Sequence, residues 1–291
     1  MSLTDPRRGA PAPDAQQIEH PGRTDQLDPT PDHGEHSYQG SGKLTGCRAL
    51  VTGGDSGIGR AVSLAFAREG ADVAFTHLAD ERSDAGATTE LVEAAGRTAL
   101  PIEADLRDRS ACTDAVDRTV RELGGLDVVV CNAAYQMALE SIADLTEEQL
   151  RRTFETNVFH TVWTIQAALD HLRPGASIIV TSSIQATSPS PYLFDYAATK
   201  GALTNIVKSA AQEFADRGIR VNAVAPGPVW TPLIPATMPP GKVDDFGENT
   251  PFGRPAQPAE LAPAYVFLAS NDSTYITGES IAVTGGRLTP G

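Results

Sequence analysis

The chain has 291 residues, 41% of them hydrophobic, a formal net charge of −14 and three cysteines. That length leaves one large α/β domain or two smaller ones open, while the acidic balance argues against nucleic acid or an anionic membrane as partner, because phosphate backbones call for a clustered basic face. No apolar run approaches the roughly 18–20 residues that span a bilayer, and Cys47, Cys112 and Cys131 are too scattered for a disulfide framework or a zinc site, so a cytoplasmic protein without a structural metal is expected.

Residues 1–43 are rich in Pro, Asp, Gln, His and Gly and have no apolar periodicity, so they form an arm that cannot fold alone. The arm is expected to wrap a neighbouring subunit. His33 and His36 in "HGEH" have no further ligands spaced nearby and read as solvated side chains, not a metal site.

From Cys47 short apolar runs alternate with helix-period stretches: "CRALVTG", "ADVAFTH", "TALPIEA", "LDVVVCN", "ASIIVTSS", "IRVNAVAPG" and "SIAVTGG". Runs that are continuously apolar, not alternating, predict strands buried on both faces. Residues 44–291 are thus expected to form one α/β domain with a seven-stranded, mostly parallel, doubly wound sheet. The first helix follows at "GIGRAVSLAFAREG" and stops at Gly70. A single helix is predicted over 146–172, opened by Thr146 with Glu147 and Glu148 in its first turn. Residues 231–255 turn Pro- and Gly-rich and read as a substrate-covering loop.

Two stretches carry chemistry. "LVTGGDSGIGRAV" places Gly53, Gly57 and Gly59 between a strand and a helix, where glycines permit close backbone approach and the helix N-terminus offers N–H groups to a pyrophosphate. In "TSSIQATSPSPYLFDYAATKGAL", Tyr196 and Lys200 lie four apart, on one face of a helix. An ammonium beside a phenol favours phenolate, so Tyr196 is read as a general acid/base whose pKa Lys200 lowers. Ser183, at the C-terminal end of a strand, is read as a donor to the substrate oxygen, with Ser182 as its rival.

The T-G-x-x-x-G-I-G spacing, Asn132-Ala133, Asn157, Ser183-x12-Tyr196-x3-Lys200 and Pro226-Gly227 together resemble the single-domain branch of the short-chain dehydrogenase/reductases over residues 44–291. "GDSGIGRA", "DYAATK" and "VAPGPVWT" resemble a bacterial subgroup of stress-associated proteins and aldehyde reductases with a Pro-rich N-terminal extension. The resemblance implies a Rossmann fold and a homotetramer built through the helices around 146–172 and 195–217. It also implies that Ser183 positions a carbonyl, Tyr196 transfers a proton, Lys200 tunes it and Asn157 holds a water. Implied dinucleotide contacts are Gly53, Asp55, Ser56, Gly57, Ile58, Gly59, His77, Asp105, Leu106, Asn132, Ala133, Pro226, Gly227, Val229 and Thr231, besides Tyr196 and Lys200. Cys131 and Ala134 depart from the family's usual Asn and Gly.

His77 stands where NAD-preferring members of the family have an acid, and Arg60 and Arg82 are nearby positive charges, so the reading leans to NADP(H) over NAD(H). Gln185, Met137, Tyr192, Pro228 and Trp230 suggest a mostly apolar substrate pocket for a small aldehyde, ketone or alcohol. A non-catalytic dinucleotide-binding redox sensor is the alternative; such a protein needs the glycine turn but not the acid/base set.

Overall fold

The computed structural model describes residues 4–9 and 13–287. All seven expected strands form: β1 Arg48–Val51, β2 Asp72–His77, β3 Ala99–Glu103, β4 Val128–Cys131, β5 Ser177–Thr181, β6 Arg220–Pro226 and β7 Ser280–Val283. They make one sheet in the order β3-β2-β1-β4-β5-β6-β7, and every pairing is parallel.

Successive strand residues point to opposite faces, and both faces are covered. Ala49 and Val51 pack with α1 (Gly57–Arg68), α2 (Arg82–Ala94) and α9 (Pro258–Ala269). Leu50 and Val129 pack on the other face with α3 (Arg109–Leu123), α5 (His160–Ala168) and α6 (Phe194–Phe214). Two-sided burial is why the five central strands read as unbroken apolar runs, whereas the edge strands β3 and β7 are only partly buried. The chain reverses its direction of travel across the sheet between β1 and β4, which opens a crevice at their C-terminal ends.

Gly70 adopts φ +99 just beyond α1, the left-handed stop that its position predicts. The helix expected over 146–172 is interrupted. Thr146 caps α4 (Glu147–Phe154), its Oγ1 accepting from Gln149 N at 3.1 Å, but residues Glu155–Phe159 form a π-helical turn before α5. Such turns are rare and concentrate at functional sites; this one holds Asn157. Between β6 and α9 the irregular stretch contains two short helices, α7 (Leu233–Thr237) and α8 (Pro240–Val243).

The N-terminal arm lies along its own domain, not away from it. Leu27 is buried with Trp230, Ile234 and Val243 in a third apolar cluster, and the Trp230 indole donates to Pro29 O at 2.7 Å. Thr24 N and Oγ1 donate to Asp84 at 2.9 and 3.2 Å, and Asp32 N donates to Gln257 Oε1 at 2.8 Å. A polar segment that cannot bury itself has thus used apolar residues of the 230–246 region of its own chain as its core. His33 is buried against Glu35, and no group of three or more metal-ligating side chains exists among the described residues.

Candidate active site

A cavity of about 620 Å³ opens at the C-terminal ends of the strands, lined by the glycine turn, the β2, β4 and β5 ends, α6 and the 226–234 segment. Its floor is set by backbone packing. A Cβ at Gly59 would fall 1.8 Å from Gly53 O, and one at Gly57, where φ is +51, would meet Thr231 Cγ2 at 3.0 Å. Gly59 therefore works behind the cavity wall, closing the strand–helix turn, whereas Gly53, Ser56, Gly57 and Ile58 face the cavity. Leu106, Asn132, Ala133, Pro226, Gly227, Val229 and Thr231 also line it, as expected. Asp105 lines it too, though its carboxylate is paired to Arg107 at 2.6 Å.

Ser183, Tyr196 and Lys200 converge on this cavity from β5 and α6. Ser183 Oγ accepts from Gln185 N at 3.1 Å, which leaves its own proton free to donate outward. Ser182 is engaged elsewhere: its hydroxyl reaches Lys200 O and Thr204 Oγ1, at 3.3 and 3.0 Å, joining β5 to α6. Both serines line the cavity, and of the two it is the Ser182 hydroxyl that is tied to α6. Lys200, 2% exposed, donates to Thr181 O at 2.7 Å with its Nζ 5.3 Å from the centre of the Tyr196 ring.

The expected electrostatics are reversed. Burial raises Tyr196 to about 12, with the Ser183 hydroxyl pulling it back, and burial alone lowers Lys200 to about 7. Desolvation penalises both charged forms, and here it outweighs the mutual help that i, i+4 spacing led one to expect. Near neutrality Tyr196 is thus a neutral phenol holding a proton.

Asn157 does not line the cavity. Its Oδ1 accepts from Tyr135 N at 2.7 Å, and its Nδ2 donates to Tyr135 O and Thr199 Oγ1, both at 2.9 Å. Fully buried, it ties the β4 loop to α6 through the π turn and thereby positions the helix that carries Tyr196 and Lys200.

At the opposite end, His77 and Asp55 line the cavity, together with Glu81. Asp55 is 2% exposed and its Oδ2 has no hydrogen-bond partner; burial, then Glu81, push its pKa well up. Glu81 is raised as well, by burial first. An orphaned buried acceptor beside a glycine cradle fits the ribose hydroxyls of a dinucleotide. Arg60, by contrast, is buried in a 2.7 Å ion pair with Asp84, and Arg82 pairs with Glu103 at 2.6 Å; neither lines the cavity. The two cations that favoured a phosphate there are committed to other partners.

The substrate end differs from expectation in two ways. Trp230 is 1% exposed beneath the arm and does not reach the cavity, nor does Met137. Gln185, Tyr192 and Pro228 do line it, joined by Lys242, Asp245 and Asn249 from the 231–255 loop and by Arg287 beyond β7. The lining is consequently more polar and charged than the local sequence implied. Sequence reasoning also missed His20, Pro21 and Arg152; the first two belong to a segment whose composition gave no sign of packing.

A family model described as Enoyl-(Acyl carrier protein) reductase matches residues 53–287. The Bacillus subtilis oxidoreductase YhxD is 52% identical over 92% of this chain and 91% of its own length. The glucose and ribitol dehydrogenase of Daucus carota is 44% identical over 97% of this chain and 99% of its own length. Among solved structures, a short-chain dehydrogenase from Burkholderia cenocepacia in complex with NADP superposes with a TM-score of 0.79, at 36% identity, over 84% of this chain and 98% of that one.

Proposed function

Because the chain belongs to the short-chain dehydrogenase/reductase family, we propose that it is an NAD(P)(H)-dependent enzyme interconverting a small aldehyde or ketone and its alcohol, with Tyr196 as acid/base. The observation that carries this is the meeting of Ser183, Tyr196 and Lys200 in the same cavity as the glycine turn. A dinucleotide-binding sensor has no use for that set. When bound, the nicotinamide ring supplies or accepts the hydride. The residues do the rest: Ser183 donates its free O–H to the carbonyl oxygen, and Tyr196 delivers its phenolic proton to the same atom as negative charge develops. Lys200, held at Thr181 O, fixes the orientation of the pair. A phenol neutral at working pH suits the direction of carbonyl reduction.

Gly53, Ser56, Gly57 and Ile58 would cradle the pyrophosphate at the start of α1, and Asp55 and His77 the adenosine ribose. Asp55 and Glu81 in the lining, with Arg60 and Arg82 engaged elsewhere, suit a free ribose 2′-hydroxyl, while the NADP complex of the Burkholderia cenocepacia relative supports NADP(H) binding, so both cofactors enter the test. A polyhydroxylated alcohol, or the carbonyl it yields, is a second substrate reading. Lys242, Asp245 and Asn249 in the lining support it, as does the name of the carrot relative. Assembly as a homotetramer is supported by apolar side chains left on the α4–α6 surface, Leu150, Phe159 and Phe194, which are 38, 43 and 48% exposed. No helix among the described residues is long and apolar enough to cross a membrane.

The test is Tyr196→Phe, followed by oxidation of NADH and NADPH against a panel of aldehydes and sugars. Turnover should fall by about 10²–10⁴ with dinucleotide affinity unchanged. Turnover within a factor of a few of the parent would overturn the assignment.

A further inference from the structure

The stretch from residue 18 to residue 24 reaches the active-site cavity, where His20 and Pro21 form part of the lining. On one side the His20 ring meets Tyr135 edge-on, centroids 5.2 Å apart, and its Nδ1 lies 3.3 Å from Arg152 Nη2. The Arg152 guanidinium in turn sits 4.1 Å over the Tyr135 ring. On the other side Ile18 N donates to Pro235 O at 3.2 Å. Gly22 presses so closely on the same segment that a Cβ there would lie 3.1 Å from Pro232 O and 3.2 Å from Ala236 Cβ. Beyond it Thr24 is tied to Asp84 on α2. The segment therefore joins the Tyr135–Arg152 part of the lining to the 232–236 segment and is held at both ends by its own domain.

The chemistry of the bridge is directional. An arginine nitrogen only donates, so His20 Nδ1 is the acceptor and the ring proton resides on Nε2. Burial, then Arg152 and Arg107, lower His20 to about 4, so the imidazole is neutral at working pH. Arg152 lines the cavity, and among the described residues His20 is its one side-chain hydrogen-bond partner, with Asp105 near enough to feel its charge. It remains a cation on the wall that also carries Leu106, Arg107 and Ala133.

Resting on the dinucleotide reading of this cavity, we propose that residues 18–22 are the outer wall of the cofactor site, closing over the adenosine half, with His20 presenting Arg152 to its anionic groups. The site is then complete within one subunit, and the arm serves cofactor retention. Dinucleotide exchange requires residues 18–22 to lift away from Pro232 and Ala236.

In the full chain, His20→Ala and Arg152→Ala should each speed NADH dissociation, followed by stopped-flow fluorescence, by about tenfold or more, a factor that corresponds to about 1.4 kcal/mol. ADP-ribose should weaken in parallel and nicotinamide mononucleotide should not. A second variant moves the segment without touching either side chain. At Gly22, where φ is +72, a Cβ would fall 3.1 Å from Pro232 O, so Gly22→Ala should shift the segment off Pro232 and speed both association and dissociation of NADH at least tenfold. Parent-like exchange in all three variants would overturn the wall while leaving the oxidoreductase reading intact. If the parent binds no dinucleotide, that reading falls and the wall with it.

Discussion

Asp55→Asn separates stability from function at a single atom. Asp55 is 2% exposed, with one carboxylate oxygen lacking any partner, and both Glu81 and Asp84 disfavour its charge. A buried polar group left unsatisfied costs about 1–3 kcal/mol, more when charged. Relieving it should raise the melting temperature of the dinucleotide-free protein by roughly 2–5 °C for a chain of this length. The sign with pH follows from linkage. Because the folded pKa lies above the unfolded one, the native state binds more protons at this site, and its stability falls as pH rises through the folded value. The gain from Asn should therefore be largest near pH 8 and should vanish as the pH is lowered toward the unfolded pKa. In titrations with NADH and NADPH, losing the negative charge should weaken the ribose contact and relieve repulsion of a 2′-phosphate, moving the affinity ratio toward NADPH by on the order of tenfold to a hundredfold. A melting temperature lowered at pH 8, or affinities that move together, would refute the argument that this carboxylate is kept strained for the cofactor.

Lys200→Met removes a buried amine whose pKa burial lowers to about 7. Since the unfolded chain binds the proton more tightly, parent stability should climb between about pH 7 and 10, and the advantage of Met in urea melts should shrink over that window; a constant difference would show Lys200 to be solvated. Trp230→Ala should cost about 3–5 kcal/mol and expose residues 13–43 to limited proteolysis, because the indole and Leu27 share one cluster; intact protease resistance would mean that the arm is held by its polar anchors alone. Phe159→Glu, on the exposed α4–α6 surface, should shift light-scattering mass toward smaller species with the fold intact by circular dichroism; an unchanged mass would remove that surface from the assembly.

Much of this protein is local in origin and therefore legible in the sequence. The central strands appear because two-sided burial demands continuous apolar runs, and the glycine turn because a Cβ at Gly59 would fall 1.8 Å from Gly53 O. The Tyr196–Lys200 pairing follows from helical spacing alone. What folding decided is whatever depends on partners distant in the chain. Arg60 looked free until α2 brought Asp84 to it, and Trp230 looked like a substrate wall until the arm covered it. The pKa values of Tyr196 and Lys200 turned on burial, which spacing does not encode. The arm is the sharpest case. Its composition truthfully says that it cannot fold alone, but burial is a property of surfaces brought together, and the apolar surface that Leu27 and Ile18 needed lies more than 200 residues later in the chain.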